Sequence, residues 1–109
     1  MSDVITIDEF KRLDMRVGTV VEVERIPGSK SLYRMRVDLG DEVRQIVTGL
    51  VGHYTAEELM GKRIIVLRNL KPAKIFGVVS NGMLLAAEHD GRLALLTVDR
   101  EIPNGARVT

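Results

Sequence analysis

Between Asn69 and Met83 the chain reads Asn-Leu-Lys-Pro-Ala-Lys-Ile-Phe-Gly-Val-Val-Ser-Asn-Gly-Met, with two lysines and no carboxylate. Ammonium groups at Lys71 and Lys74, beside the amides of Asn69 and Asn81 and the hydroxyl of Ser80, are the groups that grip a polyanion. Pro72 stiffens the segment, and Gly77 and Gly82 allow it to turn. Upstream, Lys30, Arg34, Arg36 and Arg44 offer the same cationic chemistry. Formal net charge is only +1, but from Arg25 to Gly82 ten Lys/Arg face five Asp/Glu, whereas the remainder holds six against ten. A basic middle between acidic ends attracts phosphate locally. An ordinary solvated surface of uneven charge is the alternative that charge alone leaves open.

Catalytic chemistry finds no such grouping. His53 and His89 are isolated, there is no cysteine, and neither a phosphate-cradling glycine loop nor a metal-ligand spacing occurs. No pair of carboxylates sits where two pKa values would be driven apart. The expectation is a non-enzymatic protein with no cofactor and no metal.

These side chains need a scaffold, and 109 residues with 45% hydrophobic content suffice for one core. One domain over residues 1–109 is expected, with a barrel at about 14–88 and an extension at 89–109. No apolar run approaches the roughly 20 residues of a membrane span, and the N-terminus does not read as a secretory signal. The absence of cysteine suits a reducing compartment. The expected address is the cytoplasm, with no membrane partner.

Thr6 and Glu9 have capping-box spacing, and Ile7, Phe10 and Leu13 share a face, which predicts a short helix over 6–13. The period then becomes two. Met15, Val17, Thr19, Val21 and Val23 alternate with polar residues, predicting a strand over 15–25 buried on one face, with a bulge or bend at Gly18. After a Pro27-Gly28-Ser29 turn, Tyr33, Met35, Val37 and Leu39 alternate with Arg34, Arg36 and Asp38. Gly40-Asp41 returns the chain into a third strand over 43–48, antiparallel to the second. Thr55, Glu58 and Gly61 mark a one- to two-turn helix. Further strands are expected over 63–69, 83–88 and 93–98, with 69–83 as a long connection, which in a small domain usually has a function.

Five strands with a helix between the third and fourth match the order of an all-β oligonucleotide-binding fold, a Greek-key barrel. That fold binds on strands two and three and the loops joining strands one to two and four to five. Lys30, Arg34, Arg36, Arg44 and the 69–83 segment all map there. Each has a plainer alternative: Arg34 and Arg36 as a solvated strand face, Asn69 as a brace for its own loop. Tyr33 and Phe10 lie on apolar faces, leaving little for the aromatic platform of single-strand binders. Structured RNA is the better fit.

The chain also resembles a known family, the tRNA-binding domain found at the C-terminus of many methionyl-tRNA synthetases and as free-standing proteins. The resemblance rests on Asp14-Met15-Arg16-Val17-Gly18, Pro27 to Tyr33, Val37-Asp38-Leu39-Gly40 and Arg44 to Leu50. It continues through Glu57 to Lys62, Asn69-Leu70-Lys71-Pro72-Ala73-Lys74 and Ser80-Asn81-Gly82-Met83. It implies a barrel that contacts the folded shape of tRNA, an apolar contact from Met83, and a homodimer built from the N-terminal segment and the residues after the fifth strand. Phe76 and Val79 stand where the tyrosyl-synthetase and cytokine-like branch carries basic residues, so the loop resembles the methionyl branch and implies a weaker grip.

The expected function is structure-selective tRNA binding by a free-standing dimer, as an auxiliary (beta) subunit or tRNA-recruiting partner of methionyl-tRNA synthetase. The RNA-binding residues expected are Lys30, Arg34, Arg36, Arg44, Asn69, Lys71, Lys74, Ser80, Asn81 and Met83. An export-type peptide-binding chaperone is the alternative, because small dimeric relatives with a similar barrel resemble such chaperones. A protein-interaction adaptor is a third reading.

Overall fold

The computed structural model describes residues 3–109, in which nine strands and two short helices follow one another. Helix α1 (Ile7–Lys11) precedes β1 (Met15–Arg25), β2 (Tyr33–Asp38) and β3 (Val43–Thr48). Helix α2 (Ala56–Leu59) then leads to β4 (Arg63–Leu67), β5 (Ala73–Ile75), β6 (Val78–Ser80) and β7 (Met83–Leu84). The chain ends with β8 (Ala86–His89), β9 (Arg92–Leu95) and a terminal segment. None of the helices described is long and apolar enough to cross a membrane.

Five antiparallel strands in the order β3-β2-β1-β4-β7 curl into a nearly closed barrel of the oligonucleotide-binding type. Closure comes where β3 meets the β6–β7 corner: Asn81 N donates to Gln45 O at 2.8 Å, and Val47 N donates to Ser80 Oγ at 3.0 Å. Met35, Val37, Leu39, Ile46, Ile64 and Val66 fill the interior, each no more than 1% exposed. Alternation accounts for this, because every second side chain of a strand points the same way. Leu59 of α2, fully buried, plugs one end. Both helices begin with the capping boxes expected from Thr6 with Glu9 and Thr55 with Glu58.

Several boundaries differ from the sequence-based expectation. In β1 the register breaks between Val20 and Glu22, so the bulge falls at Val21 and not at Gly18. Gly18 is needed for close packing instead: a Cβ there would meet side-chain atoms of Leu39 and Val37 at 2.7 Å. Up to the bulge Val20 faces the barrel core while Val21 is exposed on the opposite face with Met15 and Val17; past it the inward side shifts, so that Val23 packs against the core. Met15 and Val17 lie on the other face and are nevertheless buried, forming with Ile65 a second cluster. Phe10, Val98, Ala106 and Val108 from the two ends of the chain cover that cluster. The C-terminal segment takes the edge of β1 that β2 leaves free, with Val17 N donating to Ala106 O at 3.0 Å and Val108 N to Met15 O at 2.9 Å.

The strand expected over 83–88 is two strands. Leu85 N bonds Ile65 O, after which β8 leaves the barrel to pair with β9, placing the start of the C-terminal hairpin at Ala86 and its second strand at 92–95. Tyr54 anchors that hairpin, its hydroxyl accepting from Leu95 N at 3.2 Å. The segment expected as a long connection contains the β5–β6 hairpin. Its two-residue turn has positive φ at Phe76 (53°) and Gly77 (81°), the twist that a tight hairpin requires.

Candidate nucleic-acid interface

The β5–β6 hairpin sits against β3 and reaches the β1–β2 loop. Gln45 Nε2 donates to Val79 O at 2.9 Å, and the Phe76 ring lies beside Gly28, 3.4 Å from where a Cβ would stand. Paired residues share a face, so Ala73 with Ser80 and Ile75 with Val78 look toward the barrel, while Lys74 with Val79 look away. The two loops and the faces of β2 and β3 thus form one continuous surface.

The predicted site residues divide into two groups. Lys30, Lys71 and Lys74 are exposed, and none of the ion pairs among the described residues involves them. Arg36 is half-exposed and only loosely paired, its Nε 3.7 Å from Glu22. Such a pair is worth at most about 1 kcal/mol and is readily exchanged for a phosphate. Met83 is also exposed, at the same corner.

The other five are committed within the protein. Arg34 donates to Glu22, Glu24 and Gln45, and the bonds to Glu22 and then Glu24 hold its guanidinium charged beyond its ordinary range. Arg44 donates to Glu42 at 2.8 Å, to Arg68 O at 2.6 Å and to Asn81 Oδ1 at 3.3 Å. Asn69 braces its loop, accepting from Asp14 N at 2.9 Å and donating to Arg12 O at 2.6 Å. Ser80 is buried; its Oγ accepts from Val47 N and donates to Gly82 O, which corrects its reading as an exposed hydroxyl. Asn81 is half-buried and holds Arg44. These five shape the surface on which the free cations stand.

Arg68 was not singled out from the sequence. It donates to Asp14 at 2.9 Å, and to Asp41 and Glu42 at 3.2 Å each, while its carbonyl accepts from Arg44. The available signal was an arginine at the root of the basic loop in a chain whose Asp14, Asp41 and Glu42 all lie near predicted turns. The network fixes the start of the 69–83 segment to the β2–β3 turn and to the N-terminal segment.

Asp14 depends on this network, and its carboxyl is held below its ordinary pKa of 3.8, mainly by the Arg68 hydrogen bond, against the opposing cost of burial. A depressed folded-state pKa adds stability that is fully present above the ordinary value and disappears as pH falls through the lowered one. Asp14→Asn is therefore expected to lose about 1–3 kcal/mol in urea denaturation at neutral pH. The difference from wild type should shrink as pH drops below 3.8.

A family model described as a putative tRNA binding domain matches residues 15–107. The methionine–tRNA ligase of Methanococcus maripaludis (strain C5) is 57% identical over 106 residues, covering 97% of this chain and 16% of that protein. The chain thus spans about one sixth of the curated relatives it matches. A MetRS-related protein from Pyrococcus horikoshii has a crystal structure with TM-score 0.93 at 44% identity, covering 99% of this chain and 100% of that one. The chaperone CsaA from Bacillus anthracis superposes with TM-score 0.87 at 28% identity, covering 97% and 99%.

Proposed function

The chain belongs to the putative tRNA-binding domain family, and on that premise we propose that it binds tRNA by its folded shape, with Lys30, Arg36, Lys71 and Lys74 neutralising phosphates. The observation that carries this reading is that the three lysines have no carboxylate partner among the described residues, on the loops that flank the barrel's binding face. Each phosphate contact releases counterions and adds about 0.9 to the slope of log affinity against log salt. Four contacts give a slope between about −3 and −4, or roughly a hundredfold loss from about 50 to about 200 mM salt. Anisotropy of labelled tRNA across that range tests this. Tight binding that ignores salt, or no binding to tRNA, would contradict it.

The role proposed within translation is auxiliary: raising the concentration of tRNA near a methionyl-tRNA synthetase, with the chemistry carried out by the synthetase. A homodimer suits this role, because two basic faces on one particle bind one RNA with avidity where geometry lets both touch it. Support comes from the N-terminal segment, where α1 buries none of its residues and Ile5 and Ile7 are 58% and 65% exposed. Light scattering should return about twice 12.1 kDa. Ile5→Asp combined with Ile7→Asp should shift the mass to that of one chain; a single-chain mass for wild type would remove the dimer from the account.

A further inference from the structure

Beside the lysines lies a groove that phosphate binding does not explain. It is walled by Thr48 and Gly49 at the end of β3, by Leu70 and Lys71, and by Ile75 and Met83, and encloses about 290 Å³. Leu70, Ile75 and Met83 are 43%, 36% and 48% exposed, so three large apolar side chains face one small space without covering one another. Single exposed apolar residues are ordinary, but a concave set of them marks a binding surface. Beneath them Ser80 has its hydroxyl fully used. The Thr48 hydroxyl, by contrast, makes no hydrogen bond among the described residues.

Resting on the RNA-binding reading above, we propose that this groove receives one unstacked nucleobase of the bound RNA. The space lies at the lower end of the roughly 300–1,000 Å³ of small-ligand sites, with room for a single planar ring system. Apolar walls take the faces of a base, and the Thr48 hydroxyl offers one hydrogen bond to its edge. Charge complementarity selects an RNA base over a peptide side chain: Lys71 stands at the rim to take the adjoining phosphate, Lys74 follows it, and no carboxylate lines the groove. Folded RNA presents such bases in loops and bulges, where protein recognition concentrates.

The test compares two RNAs of equal charge, a fully paired duplex and a hairpin with 2-aminopurine in an unpaired loop, against the full chain. Gly49→Leu adds a side chain at a residue that lines the groove; a Cβ at Gly49 would have only Ser31 O within 4 Å, at 3.9 Å, an ordinary contact. Met83→Ala removes one exposed wall, and thermal melts report folding for both. Wild type should prefer the hairpin and change its 2-aminopurine fluorescence. Gly49→Leu should bind the hairpin at least about tenfold more weakly, with salt slope and duplex affinity unchanged, and Met83→Ala should weaken hairpin binding several-fold. Salt-dependent tRNA binding with both variants equal to wild type would overturn the base pocket and leave the RNA reading standing. Binding to neither RNA nor tRNA would overturn both. Binding of an unfolded peptide by wild type that is lost in Gly49→Leu, with RNA binding unaffected, would reassign the groove to peptide.

Discussion

Changing Lys30, Arg36, Lys71 and Lys74 together to alanine should lower affinity for tRNA by a factor on the order of 10²–10³ near physiological salt. Each lost contact removes about 0.9 from the salt slope, which compounds to that range over four contacts. Folding should be little affected, because the three lysines have no ion-pair partner among the described residues and Arg36 gives up only a 3.7 Å contact with Glu22. A matched control is Arg34→Ala. That change strands Glu22 and Glu24, which now accept from Arg34, and should cost stability more than salt-dependent affinity. Anisotropy across salt together with urea denaturation separates the two effects. Equal loss of tRNA affinity and salt slope in Arg34→Ala and the fourfold variant would mean that the paired arginine also contacts phosphate.

The second large effect lies away from the lysines. Gly40 has φ of +89°, and a Cβ there would stand 2.5 Å from Asn104 O. Gly105 faces it, and a Cβ at that position would be 2.6 Å from Leu39 O. Gly40→Ala therefore combines a left-handed backbone with a backbone collision, and should cost about 3 kcal/mol or more. Gly61→Ala shares the positive φ (+80°) but meets nothing within 4 Å, so it should cost only about 1 kcal/mol. The difference isolates the docking of the C-terminal segment on the β2–β3 turn. That turn also carries Asp41 and Glu42, which hold Arg68 and Arg44 at the base of the basic loop. Weaker tRNA binding should accompany the stability loss in Gly40→Ala and not in Gly61→Ala. Thermal melts and anisotropy on the same samples check both.

The elements most legible in the sequence were those set by local chemistry. Thr6 with Glu9 and Thr55 with Glu58 marked both helix starts, because capping boxes depend on a three-residue spacing. Alternation in Tyr33 to Leu39 marked a strand whose apolar residues do line the core. What alternation could not show was the bulge at Val21, which exchanges inward and outward faces partway along β1. Nor could it show that Met15, Val17 and Ile65 would be buried on the outer side by distant ends of the chain.

Cations were easy to find in the sequence and hard to sort. Arg34 is paired because register sets it opposite Glu24, with Glu22 also in reach, a fact that exists only once the strands are aligned. Arg44 and Asn69 are likewise engaged by Glu42, Asp14 and Arg12. Ser80 is buried by barrel closure, which brings β3 to the β6–β7 corner from more than 30 positions away in the chain. Lys71 and Lys74 stayed free for a local reason: their segment contains no acid, and its hairpin turns Lys74 away from the barrel.

Amide resonances of the isotopically labelled protein, followed during titration with tRNA, report whether RNA lands on the lysine-bearing face of the barrel. Binding should perturb Lys30, Arg36, Lys71, Lys74, Phe76 and Met83 together, while residues of α2 and of the β8–β9 hairpin stay unmoved. Perturbations confined to α2 or the β8–β9 hairpin, or none at saturating tRNA, would contradict the assignment of this face as the tRNA-binding surface.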